Sequence, residues 1–224
     1  MVGLDLVTRR IIQLLLGLVL YGLADSLMIR AAVGVDPWTV FAQGISARTG
    51  VGIGWVTNVV GIFVLLLWIP LRQKPGIGTV VNIIVIGPAI ELGLRLIPPA
   101  SGIWAQVLYF GGGLLMVAIG SGLYIGARFG PGPRDGLMTG IHRRTGWPIW
   151  IGRTMVEATV LLVGWLLGGN VGLGTLAFAL LIGPLCGWTL PLFATHARAK
   201  DVATEARLEG TVAPSTPSID SPAN

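Results

Sequence analysis

Six apolar stretches, separated by short polar segments, occupy most of the chain between residues 11 and 193. A helix that crosses the hydrocarbon core of a bilayer needs about 20 apolar residues, and each stretch approaches that length. The pattern therefore predicts an all-α membrane protein with about six transmembrane helices. The predicted spans are 11–28, 53–71, 77–96, 103–127, 149–167 and 171–193.

The second half of this pattern repeats the first at a constant offset. When the chain is shifted by 96 residues, residues 11–94 align with 107–190 without a gap, and 25 of the 84 pairs are identical. The identities include glycine, proline, arginine and threonine positions, which a shared apolar composition does not explain. We therefore predict a duplication with two membrane repeats of three spans each, 11–96 and 103–193.

The distribution of basic residues predicts how the chain is oriented. An odd number of spans per repeat turns the second repeat upside down in the membrane. With the N-terminus inside, 12 of the 15 Lys and Arg residues fall on the inner side, as the positive-inside rule requires. We therefore predict inverted repeats with both termini cytoplasmic, residues 1–10 as a cytoplasmic N-terminus and residues 197–224 as a disordered cytoplasmic tail.

Charge is also scarce, because only 11% of the residues are charged, whereas a soluble domain has about a quarter. The net charge of +5 does not indicate nucleic-acid binding, since the basic residues form no long run and do not alternate with aromatic residues. The partner that composition predicts is the lipid bilayer. Whether the chain forms a homo-oligomer stays open.

Between the first and second span of each repeat lies a polar segment rich in glycine and proline, at residues 34–50 and 130–146. Both segments predict a short amphipathic helix. In the first segment Asp36 is placed to cap the helix and Gly50 to end it. These helices either lie on the two membrane surfaces or are re-entrant, dipping into the bundle from opposite sides. In the re-entrant case they line a cavity with the candidate substrate residues Asp36, Thr39, Gln43, Arg134, Asp135 and Thr139.

Three carboxylates fall within predicted spans, where a charge is expensive: Asp25, Glu91 and Glu157. Glu91 has Arg95 at helical spacing and Glu157 has Arg153, so that local ion pairs would explain both acids. Asp25 lacks such a partner, although Arg30 could reach back toward it. All three are candidates for the coupling carboxylates of a proton- or cation-driven mechanism.

Motifs of catalysis and of metal binding are missing from the sequence. The chain has no P-loop and no nucleophile motif, its one cysteine, Cys186, lies in an apolar run, and its two histidines are far apart. The expectation is a protein that is not an enzyme and that holds no metal and no cofactor. An intramembrane enzyme that uses Arg134 and Asp135 is the least favoured hypothesis.

Several runs of residues resemble the YczE-like, YitT-related family of bacterial integral membrane proteins. The resemblance covers roughly residues 9–195, and its most specific runs are 34–40, 75–79, 122–140 and 172–175. It implies a multi-pass protein of the bacterial plasma membrane. The family implies no established substrate or catalytic residue, so that no functional residue is carried over.

The repeat and the two glycine- and proline-rich segments favour a small-solute secondary transporter or exporter, in which one half of the protein rocks against the other. The alternative is a non-transporting membrane scaffold or regulatory protein. A polar cavity between the two halves would favour transport, whereas a dry interior packed by glycines would favour the scaffold.

Overall fold

The computed structural model describes residues 2–193, and the side chains of residues 7–193. The predicted tail at 197–224 lies outside the described residues. The described residues form eight helices and no strand, which confirms the all-α prediction. The helices are α1 (Val2–Ala31), α2 (Pro37–Thr49), α3 (Ile53–Leu66), α4 (Ile77–Leu96), α5 (Ile103–Gly126), α6 (Pro133–Thr145), α7 (Ile149–Leu166) and α8 (Leu173–Phe193).

Local sequence sets the bounds of the two short helices, α2 and α6. Each begins at a proline, whose missing N–H costs nothing at that position, and each ends before a glycine in the left-handed conformation. At the start of α2, the Asp36 carboxylate accepts hydrogen bonds from the backbone N–H groups of Trp38 (3.1 Å) and Thr39 (3.2 Å). The predicted helices and their caps at Asp36 and Gly50 are confirmed.

The helices recur with the same 96-residue offset as the sequence. The starts of α2, α3 and α4, at Pro37, Ile53 and Ile77, each have a counterpart 96 residues later in α6, α7 and α8. Contacts between the halves are reciprocal as well: Gly78 N–H donates to Phe129 O at 2.8 Å, and the equivalent Gly174 N–H donates to Val33 O at 2.8 Å. Such reciprocity is what an approximate two-fold relation between two halves produces.

The first helices of the two halves, α1 and α5, pack closely and run antiparallel. Early in α1, Gln13 Nε2 donates to Leu123 O at 3.0 Å near the end of α5. Late in α1, Ala24 O lies 2.9 Å from where a Cβ on Gly113 would stand, near the start of α5. This arrangement is compatible with inverted repeats.

The bundle has two ends, which we call the Arg10 end and the Arg30 end after residues near the two ends of α1. At the Arg10 end, Arg10 Nε donates to Ala127 O at 2.9 Å, so that α1 begins where α5 ends. At the Arg30 end, Ala100 N–H donates to Arg30 O at 3.0 Å, so that the chain passes from the first half to the second there.

Five helices in the described part of the chain are long and apolar enough to cross a membrane, namely α1, α4, α5, α7 and α8. The predicted second span, 53–71, is too long, because α3 has only 14 residues, and at 1.5 Å per residue it falls short of a bilayer core. A sixth span exists only if α2 and α3, which are bent by 115°, count together as one broken span.

Candidate functional site

A cavity of about 240 Å³ lies where the two halves meet, and residues from all eight helices line it. The first turns of α2 and α6 both border this cavity, whereas the last residues of both helices are exposed. Between Pro37 and Ser46 no residue of α2 is exposed, as expected for a helix that enters the bundle. A helix lying flat on the membrane surface would present one exposed face.

Asp36 and Arg134 join the two halves at the centre of the cavity. Arg134 Nη1 lies 3.5 Å from Asp36 Oδ1, and the guanidinium carbon of Arg134 lies 5.1 Å from the centre of the Trp38 ring. The Asp36 side chain is only 5% exposed, and its Oδ2 is buried without a hydrogen-bond partner. The cavity therefore contains a carboxylate oxygen that is free to accept a hydrogen bond.

Two tyrosines border the same cavity beside Asp135. Tyr124 donates its hydroxyl hydrogen to Asp135 Oδ2 at 2.9 Å, and its ring meets that of Tyr21 edge to face with a centroid distance of 6.3 Å. Tyr21 comes from α1 and Tyr124 from α5, so the antiparallel pairing of these helices places both rings here. The lining of the cavity thus includes acids and aromatic rings side by side, in addition to two arginines and several neutral polar side chains.

The cavity extends further along α8 than along α4. On α8 it reaches Cys186 and Leu190, but the equivalent residues of α4, Ile90 and Leu94, do not line it. On α7 the cavity is lined by Arg153 and Glu157, which form the predicted ion pair at 2.9 Å.

The difference arises because α3 packs along α4, whereas α7 does not pack along α8. Asn58 of α3 reaches so close to Gly87 of α4 that a Cβ on Gly87 would lie 2.5 Å from Asn58 Cγ, whereas a Cβ on the equivalent Gly183 of α8 would have nothing within 4 Å. Leu190 lies toward the Arg10 end of α8, whereas no residue of α4 beyond Ile86 lines the cavity toward the Arg30 end. The cavity therefore extends further toward the Arg10 end, where α7 and α8 do not pack together, than toward the Arg30 end, where α3 and α4 do, and we call the Arg10 end open and the Arg30 end closed.

Three of the six candidate substrate residues, Asp36, Arg134 and Asp135, line the cavity, and three do not. Thr39 is buried next to the Asp36 cap. Gln43 Oε1 accepts a hydrogen bond from Asn170 N–H at 3.0 Å, and Thr139 Oγ1 donates to Gly136 O at 3.0 Å. Thr39, Gln43 and Thr139 therefore do not line this cavity: Thr39 is packed at the cap of α2, while the side chains of Gln43 and Thr139 bind backbone groups.

Of the three carboxylates within spans, only Glu157 lines the cavity. Asp25 is 1% exposed and its Oδ2 has no hydrogen-bond partner, while Arg30 donates to Leu94 O instead of pairing with it. Glu91 accepts a hydrogen bond from Gly54 N–H at 2.9 Å, and the expected Glu91–Arg95 ion pair does not form. Glu91 thereby ties α4 to the start of α3 at the closed Arg30 end.

Sequence reasoning missed the aromatic and thiol residues of the cavity, Tyr21, Tyr124, Trp38 and Cys186. A signal existed for Tyr21, which lies one helical turn before Asp25 on the same face of α1. Neither Tyr124 nor Cys186 carried one, because their positions depend on how α5 and α8 pack.

Comparison with known proteins finds one family model and several relatives. A family described as a family of unknown function, DUF6198, matches residues 8–191. An uncharacterized protein of Haemophilus influenzae is 38% identical over 81% of this chain and 83% of its own length. The uncharacterized membrane protein YczE of Bacillus subtilis is 31% identical over 78% of this chain and 82% of its own length, and YyaS of the same organism is 26% identical.

No solved structure matches the chain. The relative named as a membrane protein and the apolar helices agree that this is a multi-pass membrane protein. The resemblance to the YczE-like proteins is confirmed by the identity with YczE itself. The chain belongs to the family DUF6198.

Proposed function

We propose that this protein is a secondary transporter or exporter of a small solute across the bacterial plasma membrane. The observation that carries the proposal is the central cavity, which is open between α7 and α8 at the Arg10 end and closed by the packing of α3 on α4 at the Arg30 end. A charged cavity with access from one end is one state of an alternating-access cycle.

The second state follows if the two halves are inverted repeats that exchange their arrangements. In that state α7 closes toward α8, and α3 separates from α4. In the second state Cys186 no longer lines the cavity, and the equivalent residue Ile90, which is fully buried in the present state, lines it instead. Because the basic residues predict that the Arg10 end faces the cytoplasm, the present state receives its solute from that side.

Coupling to an ion would use a carboxylate that changes its surroundings during this exchange. Asp25 is the best candidate, since its carboxylate is buried and Oδ2 lacks a partner in the present state. Glu157 is neutralised by Arg153 at the open end, and Glu91 acts by holding the closed end. We propose transport rather than catalysis as the activity of this cavity.

The native Cys186 and an Ile90→Cys variant in a Cys186→Ser background provide a matched test. Inverted vesicles and right-side-out vesicles are treated with a maleimide that does not cross membranes. We expect Cys186 to react from the Arg10 side only. In the Ile90→Cys variant, we expect the introduced thiol to react from the Arg30 side only and more slowly. Added substrate or a change of pH should alter the two rates in opposite directions.

The scaffold alternative predicts a different result. A protein that does not alternate leaves the thiol of the Ile90→Cys variant unreactive from both sides under every condition, while Cys186 stays reactive. That outcome would refute transport. A specific loss of activity on altering the exposed residues His142, Arg143 and Arg144 would then favour a docking role.

A further inference from the structure

The charges that line the central cavity do not balance. Three carboxylates, Asp36, Asp135 and Glu157, face two guanidinium groups, Arg134 and Arg153. Arg153 is bound to Glu157 at 2.9 Å, so that Arg134 remains to neutralise both Asp36 and Asp135. Since Arg134 is 3.5 Å from Asp36 and Asp36 Oδ2 has no partner, one negative charge is left for a ligand to neutralise.

Aromatic rings accompany these acids on the wall of the cavity, from Tyr21, Trp38, Tyr124 and Phe178. Carboxylates together with aromatic faces are the environment in which proteins bind ammonium-type cations. Trp38 already holds the Arg134 guanidinium against one face of its ring. The cavity therefore has the chemistry of a site for one positive charge.

A second cavity, almost entirely apolar, borders the first. It measures about 740 Å³, is lined by α2, α3, α6 and α7, and opens on the outer surface of the bundle, where Phe63 is 63% exposed. Trp38, Val60 and Val64 line both cavities, so these three side chains separate the charged volume from the apolar one. A movement of the Trp38 ring would connect them.

We infer that the solute is a lipophilic cation, with its positive charge beside Asp36 and Asp135 in the central cavity and its apolar body in the apolar cavity behind Trp38. This inference rests on the proposed function and specifies its substrate class. The unbalanced charge selects the sign of the ligand, and the apolar volume adjoining it selects an apolar body over a hydrated ion.

Binding to the full chain in lipid nanodiscs tests the inference with three probes. Tetraphenylphosphonium is a lipophilic cation, tetraphenylborate has the same shape with the opposite charge, and tetramethylammonium is a cation without a large apolar body. We expect tetraphenylphosphonium to bind about tenfold or more tightly than either of the others. Equal or tighter binding of tetraphenylborate would overturn the inferred charge.

Two variants separate the charged part of the site from the apolar part. Asp36→Asn removes the charge but keeps an oxygen that can cap α2, so about a tenfold loss of tetraphenylphosphonium affinity is expected without loss of the fold. Val160→Phe fills the apolar cavity and should weaken tetraphenylphosphonium binding only. Val163→Phe is the matched control, because Val163 lies on the same helix, is 39% exposed and lines neither cavity.

The outcomes distinguish the substrate class from transport itself. If Val160→Phe leaves tetraphenylphosphonium binding unchanged, a lipid chain of the bilayer occupies the apolar cavity and the inference fails. If none of the probes binds while Cys186 and the thiol of the Ile90→Cys variant still react from opposite sides, the transporter stands and the substrate class is wrong. Binding with the expected preference but without alternating reactivity refutes transport and leaves a lipophilic-cation binding site.

Discussion

Gly87→Ala should force the closed Arg30 end to open. The added Cβ would stand 2.5 Å from Asn58 Cγ, closer than the 3.0 Å below which real Cβ contacts essentially never occur. To reach ordinary van der Waals distance, α3 must move away from α4 by roughly 1 Å. The equivalent Gly183→Ala on α8 is the control, because its Cβ would meet nothing within 4 Å.

The size of the effect follows from the cost of overpacking, which is about 1–3 kcal/mol for an added methyl group in a packed interior. In the proposed transport cycle this cost falls on the state in which α3 and α4 are packed, and not on the state in which they are apart. The ratio of the two states should therefore change by about 5- to 150-fold toward the state open at the Arg30 end.

The assay is the rate at which Cys186 reacts with a membrane-impermeant maleimide from the Arg10 side. We expect Gly87→Ala to slow this reaction and Gly183→Ala to leave it unchanged or faster. A second variant guards against simple unfolding: Asn58→Ala combined with Gly87→Ala removes one source of the clash and should restore part of the wild-type rate. An unchanged rate in a folded Gly87→Ala protein would refute the argument that α3 and α4 form a gate.

Three further predictions concern single side chains. Glu91→Gln replaces a charged acceptor of the Gly54 N–H by a neutral one, which should destabilise the contact between α3 and α4 by about 1 kcal/mol. The thiol of the Ile90→Cys variant should then react about fivefold faster, and a slower reaction would contradict this role of Glu91. Arg134→Gln removes the cation that competes with the ligand for Asp36 and Asp135, so the affinity for tetraphenylphosphonium, measured by calorimetry, should rise about tenfold. Weaker binding would show instead that Arg134 contacts the ligand favourably. Asp36→Ala removes the side-chain cap of α2, which should lower the free energy of unfolding by about 1 kcal/mol and the unfolding temperature in detergent by about 2–4 °C. Asp36→Asn should not lower it, and equal unfolding temperatures of the two variants would contradict the capping role.

Features that depend on local sequence were predictable. The short helices, their caps and the 96-residue offset follow from glycine, proline and aspartate positions, which act within a few residues of themselves. Asp36, Arg134 and Asp135 were predictable as cavity residues because they lie at the first turns of α2 and α6, which border the cavity. Thr39, Gln43 and Thr139 lie on the same short helices but do not line the cavity.

Features that depend on packing between distant helices were not predictable. The ring of Tyr21 meets that of Tyr124 only because α1 packs antiparallel to α5, and Cys186 lines the cavity only because α7 stands away from α8. The sequence repeat alone gives the two halves equal roles, and therefore does not indicate which end of the bundle is closed.

The unequal ends nevertheless have a cause in the sequence, at positions where the repeats differ. Glu91, which accepts the Gly54 N–H at the closed end, is replaced by Gly187 in the second half, and Gly54 itself is replaced by Trp150. The Arg10 end therefore lacks both the carboxylate that ties the helices together and the small residue that permits their close approach. A hydrogen bond to a charged group contributes about 1.5–3 kcal/mol, so in the proposed transport cycle the state closed at the Arg30 end is favoured in the absence of a ligand. On that proposal the Glu91–Gly54 bond breaks in each cycle, and the neutralisation of the unpaired Asp36 oxygen by a bound cation is an interaction available to offset that loss.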